Sequence, residues 1–522
     1  IYLNLGDNGK TWLFDVTDYA PVLKGRKRMT IERGGQWQED MDIKFLYIVG
    51  TPARDVIDVQ QIWKVSSSSY TSIQNERAYE TRDVLMPAEG EAFKIRSVIT
   101  GHGQQGEFSP RHHTLNLNEG DIEFDWVVWN ECSTIPIYPQ GGTWIYDRAG
   151  WCPGNPSNIH DFDITAYVTP GQTTSIDYNV TYANGTSNYV VNNQLMAYGL
   201  PNFNLDAAVV RILKPNTDDA SEIRFNPACT FPEVVIQNTG ATTLTSLDIE
   251  YSVEGGDPEN YTWVGSLAFM KSDTVTLPVD ELSFWIGTAD RFTVTISNPN
   301  GQDDEYSFNN SYTTSFGDIH VYADGQILTV QLKTNNYGHQ SSYILYKDDG
   351  TVYYERDNCD NNTLYNDPFY LNPGCYKLQI FDSGNDGLEF WANPGQGNGY
   401  FRILNADSDI LYSFEPDFGG YAIHEFGIGN ITKIDEIAHP FILSVYPNPV
   451  SDHLQINIWG TGNTKVTARL SNSAMKQVME KEWTANKKEF STVLDMKDLP
   501  SGVYFLQITY GNHSKTEKII IF

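Results

Sequence analysis

Residues 101–154 read GHGQQGEFSPRHHTLNLNEGDIEFDWVVWNECSTIPIYPQGGTWIYDRAGWCPG. Short strand-like runs alternate with Gly, Pro and Asn turn signals, which predicts a β-sandwich. His112 and His113 are adjacent, so on a strand they point to opposite faces and cannot chelate one metal together. Glu107 stands four residues before Arg111 in a Gly, Phe, Ser and Pro context that predicts a loop. Polar and aromatic groups concentrated in Gly-rich loops point to a binding cleft more than to a core.

Outward from this stretch, composition sets the bounds. The 522 residues exceed one core, and three to five domains are expected. Gly (42) and Pro (24) are frequent and aromatics reach 13%, so strands and turns are expected over long helices. No apolar run is long enough to span a membrane as a helix. The net charge of −31 argues against nucleic acid as a partner and fits a secreted protein that handles neutral sugars or peptides. Residues 441–522 carry nine Lys or Arg against seven Asp or Glu, a net of +2, which leaves −33 for the first 440. That contrast predicts a separate C-terminal module. Of the five cysteines, Cys132 with Cys152 and Cys359 with Cys375 are each local enough to pair, with Cys229 left as a buried thiol. Two local pairs favour an oxidising compartment.

The chain divides as follows. Residues 1–54 (TWLFDVTDY, MTIERGGQW, DMDIKFLYIVGTP) predict strands with one short helical turn, part of a larger β-domain. Residues 55–204 form a second β-unit. Residues 205–316, with PEVVIQNTG and RFTVTISNPNGQDDEYSFNNSY, predict an immunoglobulin-like sandwich. Residues 317–428 form a further β-module, 429–439 a linker, and 440–522 a last small sandwich.

Glu107 is the leading candidate for a general acid or base, or for a group that orients water, against the reading of a solvated loop acid. Arg111 and the aromatic Phe108 are the neighbours that set its protonation state and contact substrate. Glu32, at the end of a strand before Arg33, is a second candidate carboxylate. Arg148 and Trp151 read either as a cation and an indole that hold a polar substrate or as a structural ion pair and a core Trp. Asp382, Asn385 and Asp386 in DSGNDG offer oxygen ligands at calcium-like density, or an Asx turn that bonds to itself.

The stretches WLFDVTDY, IVGTP, GHG with RHHTLNL, and above all DRAGWCPG make residues 1–204 resemble the bacterial peptide-N-glycosidase F family, amidases that remove whole N-linked glycans from asparagine. The resemblance implies two packed jelly-roll sandwiches with the active site between them. It matches Glu107 and Glu32 to family glutamates, Arg148 and Trp151 to cleft residues, and Cys132–Cys152 to a family disulfide. Departures are Ser109 and Gln104 or Gln105 where the family has flanking cysteines, and Phe108 where it has Trp. The family's principal catalytic aspartate belongs upstream of Ile1; the chain is a shortened product or a relative that works differently. Separately, YPNPVSDHL, LPSGVYFLQI and a final Lys-bearing strand make residues 440–522 resemble the sorting domain of Bacteroidetes type IX secretion cargo. Residues 317–428 resemble a disulfide-bearing β-module of such cargo.

The expected fold class is all-β, with tandem jelly-roll sandwiches followed by immunoglobulin-like and further β-sandwich modules. The expected function is a secreted amidase acting on N-glycoproteins or glycopeptides. No cofactor is expected for catalysis, and calcium is expected only as a structural ion. Export is expected through the periplasm and the type IX outer-membrane machinery. The competing classes are a glycan-binding adhesin and a copper monooxygenase-like protein.

Overall fold

A computed structural model of the protein describes all residues except 1–2, 7–8, 32–39, 182–185, 227–228, 280–281, 286–289, 318, 430–440, 447–449, 461–463, 473–475, 486–488, 498, 511–512 and 522. The architecture is all-β, with only short helical turns between strands. It separates into two compact units, residues 1–430 and 431–522.

Among the described residues, the first sandwich of the larger unit has eight strands. These are β1 (Arg54–Ser69), β2 (Arg82–Leu85), β3 (Ala92–His102), β4 (Arg111–Leu117), β5 (Ile122–Val128), β6 (Ile159–Asp163), β7 (Thr173–Val180) and β8 (Asn188–Pro201). They form two antiparallel sheets, β1-β8-β3-β6 and β2-β7-β4-β5. Strict alternation explains β3: Phe93, Ile95 and Ile99 face the core while Lys94 and Arg96 face out. The outward pair bonds Asp161 on β6 and Asp18 from the N-terminal segment. On β4 the period of two buries His113, Leu115 and Leu117. His113 Nδ1 meets the Tyr178 hydroxyl at 2.7 Å, whereas His112 lies outside against Asp125. The two histidines therefore occupy opposite faces. Burial lowers the His113 pKa to about 3, so the imidazole is neutral in the core.

Residues 1–54 differ from expectation. Among the described ones there is no strand before β1 begins at Arg54, only the turns Thr17–Tyr19 and Ala20–Leu23. A β-prone sequence needs a neighbour to satisfy its backbone groups, and no described strand pairs with this one. Leu46, Tyr47, Ile48 and Val49 are consequently exposed. The segment is tethered by side chains instead: Tyr198 and Lys94 bond Asp18, and Tyr19 bonds Gln194.

Two more sandwiches complete the larger unit. One pairs the sheet Ser272–Thr276, Glu233–Asn238, Ala207–Lys214 with the sheet Glu259–Leu267, Leu244–Val253, Arg291–Ser297, Ser311–Ser315. The next pairs a five-stranded sheet around Gly374–Asp382 with a four-stranded sheet around Ile327–Lys333. The expected Cys359–Cys375 bond is corrected here. Cys375 joins Cys229 across these two sandwiches with a Cα separation of 5.5 Å, and Cys359 is the buried free thiol. Cys359 belongs to the core of its own module, while Cys375 packs against the core of the preceding one. Closeness in sequence did not place the two within bonding reach. Closing the 146-residue separation stabilises the fold by about 5 kcal/mol in the chain-entropy view. Beside this bond, Lys214 pairs with Glu425 at 2.6 Å, and Glu425 also accepts from the backbone N–H of Cys229 and Thr230.

The smaller unit has a three-stranded sheet (Phe441–Tyr446, His453–Gly460, Glu489–Asp495) and a four-stranded sheet (Gln477–Ala485, Thr464–Asn472, Gly502–Tyr510, His513–Ile521). Their core includes Leu454, Ile456, Val466, Leu506 and Ile508.

Candidate functional site

The site is built from two connections at one end of the first sandwich, the β3–β4 loop and the long β5–β6 loop. The first contains a single helical turn, Gln104–Glu107, closed by Glu107 N–H to Gly103 O at 2.7 Å. Gly101 lets this turn approach β3, since a Cβ there would collide with the Gly106 carbonyl and Ala149. Gly150 does the same for the second loop: its φ is +78°, and a Cβ would strike the Ile99 carbonyl. These contacts give GHG and DRAG their physical meaning.

The long loop is stapled by Cys132–Cys152. A two-way backbone bridge between Asn130 and Arg148 fixes its centre. The Ala149 N–H donates to the Glu107 carbonyl at 2.9 Å, which ties the two loops together. Arg148 Nε then donates to Glu107 Oε1 at 3.1 Å.

Arg148 was expected to touch substrate. Its side chain is 1% exposed, so the structure corrects that role. Its Nη1 donates to the Trp144 and Tyr146 carbonyls and its Nη2 to that of Thr143. The guanidinium also lies 5.2 Å from the Phe108 ring and 5.1 Å from the Trp151 ring. Burial lowers its pKa, with Glu107 opposing. Arg148 thus holds the loop and aims Glu107, which remains 19% exposed. Arg111, expected as the cation beside Glu107, reaches toward Gln105 Oε1 at 3.5 Å instead. Trp151 is half-buried, its Nε1 on the Gly101 carbonyl and its indole stacked on His102. Burial lowers the His102 pKa, with Glu107 pulling the other way. Glu32 lies outside the described residues.

A cleft of about 440 Å³ is lined by Gln104 and Phe108, which flank Glu107 in the β3–β4 turn, and by Trp129 and Tyr146 of the first sandwich; Glu107 itself is not a lining residue. Its opposite wall is Gly384, Asn385, Asp386 and Asn393 of the third sandwich. The sequence offered this loop as a calcium site or as an Asx turn that bonds to itself, and gave no sign that it lines the cleft. In the structure the Asp386 carboxylate accepts from Gln396 Nε2 and Asn393 Nδ2, and Asp382 accepts from the N–H groups of Asp386 and Gly387. Burial, with Asp386 beside it, pushes Asp382 up to about 7. Among the described residues no group of three or more His, Cys, Asp or Glu converges to hold a metal.

The wall is held by a shared core. Ile135, Trp144, Ile145 and the disulfide of the long loop pack with Phe390. Trp144 Nε1 donates to Asp417, and Trp391 Nε1 to the Gly142 carbonyl. Arg224, from the middle module, donates to carbonyls of Ser133, Ile135, Phe418 and Tyr421 and so locks three modules. No local sequence signal marked this contact between distant segments.

Residues 69–198 match the family model described as Peptide-N-glycosidase F, C terminal. Residues 444–522 match the one described as Secretion system C-terminal sorting domain. A curated relative, peptide-N(4)-(N-acetyl-beta-D-glucosaminyl)asparagine amidase F of Elizabethkingia miricola, is 27% identical over 186 residues, covering 31% of this chain and 51% of the relative. The chain therefore spans about half the length of that relative. The solved structure of PNGase F from Flavobacterium meningosepticum is 24% identical, covering 29% of this chain and 55% of that one, with a TM-score of 0.26. A second crystal structure of a peptide-N(4)-(N-acetyl-beta-D-glucosaminyl)asparagine amidase is 28% identical, covering 23% and 43%, with a TM-score of 0.21. The tail makes the protein type IX secretion cargo, delivered to the cell surface or the extracellular space.

Proposed function

We propose that the protein hydrolyses the amide between an N-linked glycan and asparagine. The observation that carries this reading is the partly exposed Glu107 carboxylate, held by a buried guanidinium in the turn whose Phe108 lines the aromatic cleft, inside the stretch that matches the family model. An amide carbonyl is a poor electrophile because resonance delocalises the nitrogen lone pair. Hydrolysis adds water to the carbonyl carbon, breaks the C–N bond and delivers a proton to the departing nitrogen. The products are a glycosylamine and aspartate.

Glu107 suits the task of orienting that water or the substrate. Its Oε1 is occupied by Arg148, and among the described residues its Oε2 takes no donor. Arg148 is a positioning residue in this scheme. Phe108 and the half-buried Trp151 offer apolar faces to a sugar ring. Arg111, through Gln105, shapes the same loop, and Glu32 is proposed as a secondary polar contact on its sequence position alone. The proposed substrates are N-glycoproteins or glycopeptides.

Substituting Glu107→Gln keeps the size and loses the charge. The expected result is a fall in kcat/KM on an N-glycopeptide of about 10²–10⁴-fold. Full activity in that variant would remove Glu107 from the mechanism. If wild type binds glycan without releasing it, the adhesin reading replaces this one.

A further inference from the structure

The third sandwich does more than buttress the cleft. Its residues Asn385, Asp386 and Asn393 face Phe108, Trp129 and Tyr146 across a space of about 440 Å³, within the roughly 300–1,000 Å³ usual for small-molecule sites. One wall supplies aromatic faces and the other supplies amides. That combination suits a sugar, whose ring faces are apolar and whose rim is hydroxyl. Asn385 and Asn393 are exposed; the Asn393 Nδ2 donates to Asp386, which leaves its Oδ1 and the Asn385 amide facing a ligand. Asn385 sits at φ +63°, a left-handed position that fixes the turn from which its side chain projects. The wall is rigid because Phe390 is buried in the core of the opposing loop and Trp391 is bonded to Gly142.

The charge of the cleft is one-sided. Asp147 and Asp386 line it, and among the described residues no Lys, Arg or His does. Behind the wall, burial raises Asp417 to about 7, with Glu415, Asp386 and Glu389 adding to the effect. Arg148, under the same loop, is buried and already spent on Glu107 and backbone carbonyls. An anionic sugar entering here meets only like charge at close range.

We infer that the 384–393 loop of the third sandwich forms a second subsite of the glycan cleft and selects neutral oligosaccharides against those bearing carboxylated sugars. This rests on the amidase reading for turnover, but binding is separable from it. The test titrates the tryptophan fluorescence of the full chain with a free neutral N-glycan oligosaccharide and with its sialylated counterpart. In parallel, kcat/KM is measured on the two matching glycopeptides.

The neutral sugar is expected to bind about tenfold tighter, the order of one like-charge repulsion at a solvated surface. High salt is expected to narrow the gap by screening. The double variant Asn385→Ala/Asn393→Ala is expected to weaken oligosaccharide binding about tenfold, the equivalent of one or two net hydrogen bonds. Glu389→Gln with Glu415→Gln, both exposed, is expected to bring the sialylated sugar closer to the neutral one. Equal affinity for the two sugars, or unaltered binding by the Asn385/Asn393 variant, would overturn the inference. Binding with this selectivity but no hydrolysis would sink the amidase reading and leave the subsite. Hydrolysis without selectivity would do the reverse.

Discussion

Arg148 is the residue on which the cleft geometry turns. Its planar fork serves one carboxylate and three backbone carbonyls at once, a set that an ammonium cannot reproduce. Arg148→Lys is therefore expected to lower kcat while leaving KM nearly unchanged, because Glu107 loses its aim and the aromatic faces remain. Combining it with Glu107→Gln should cost little beyond the larger single loss, since the two act as one unit. Steady-state kinetics of the four proteins checks this; additive losses would separate the residues. The identities of Glu107 and Arg148 were legible in the sequence, from GHG and DRAG. Their pairing was not, because 41 residues separate them and only the folded loops bring them together. Arg111, four residues from Glu107, looked the better partner and lies elsewhere.

Among the elements, the strands were the most legible part. The alternation in β3 and β4 reports their two faces directly, and it placed His112 and His113 on opposite sides without any structure. Strand potential in residues 1–54 misled, because alternation states what a segment is able to pair as and says nothing about whether a partner is present. The disulfides misled for a related reason: Cys375 met Cys229, 146 residues away, through module docking. Cys229→Ser is expected to lower stability by up to about 5 kcal/mol, well beyond the ~3 kcal/mol expected of Cys132→Ser, if loop entropy governs both. Denaturant unfolding under non-reducing conditions reads the difference. The DSGNDG loop makes a pH prediction. Asp382 is raised from 3.8 to about 7, so the folded state holds a proton there that the unfolded state has released. Its contribution is complete below the unfolded value and is lost as pH rises from 3.8 through 7. Asp382→Asn should therefore raise Tm more at pH 8 than at pH 5. An equal change at both would show that the carboxyl is ionised in the fold throughout.

At the scale of the whole molecule, three sandwiches lock into one unit through Arg224, the Lys214–Glu425 pair and the Cys229–Cys375 bond. A C-terminal unit whose residues 441–522 carry a net +2 bears the sorting signal. Its identity was readable from YPNPVSDHL and the closing strands, since a short address motif depends on local sequence. The wall that the third sandwich adds to the cleft was unreadable, because it depends on docking between segments more than 200 residues apart, as in the Trp391–Gly142 bond. Removing residues 444–522 is expected to leave glycan chemistry intact and to abolish delivery to the cell surface, which fractionation of expressing cells would show. The central claim remains that the Glu107 cleft directs water onto the glycan–asparagine amide. The most direct measurement is mass spectrometry of an N-glycopeptide incubated with the protein in heavy-oxygen water. One labelled oxygen in a newly formed aspartate, with loss of the intact glycan, is the predicted result. A peptide that keeps its asparagine, or a glycan cut between sugars, would contradict it.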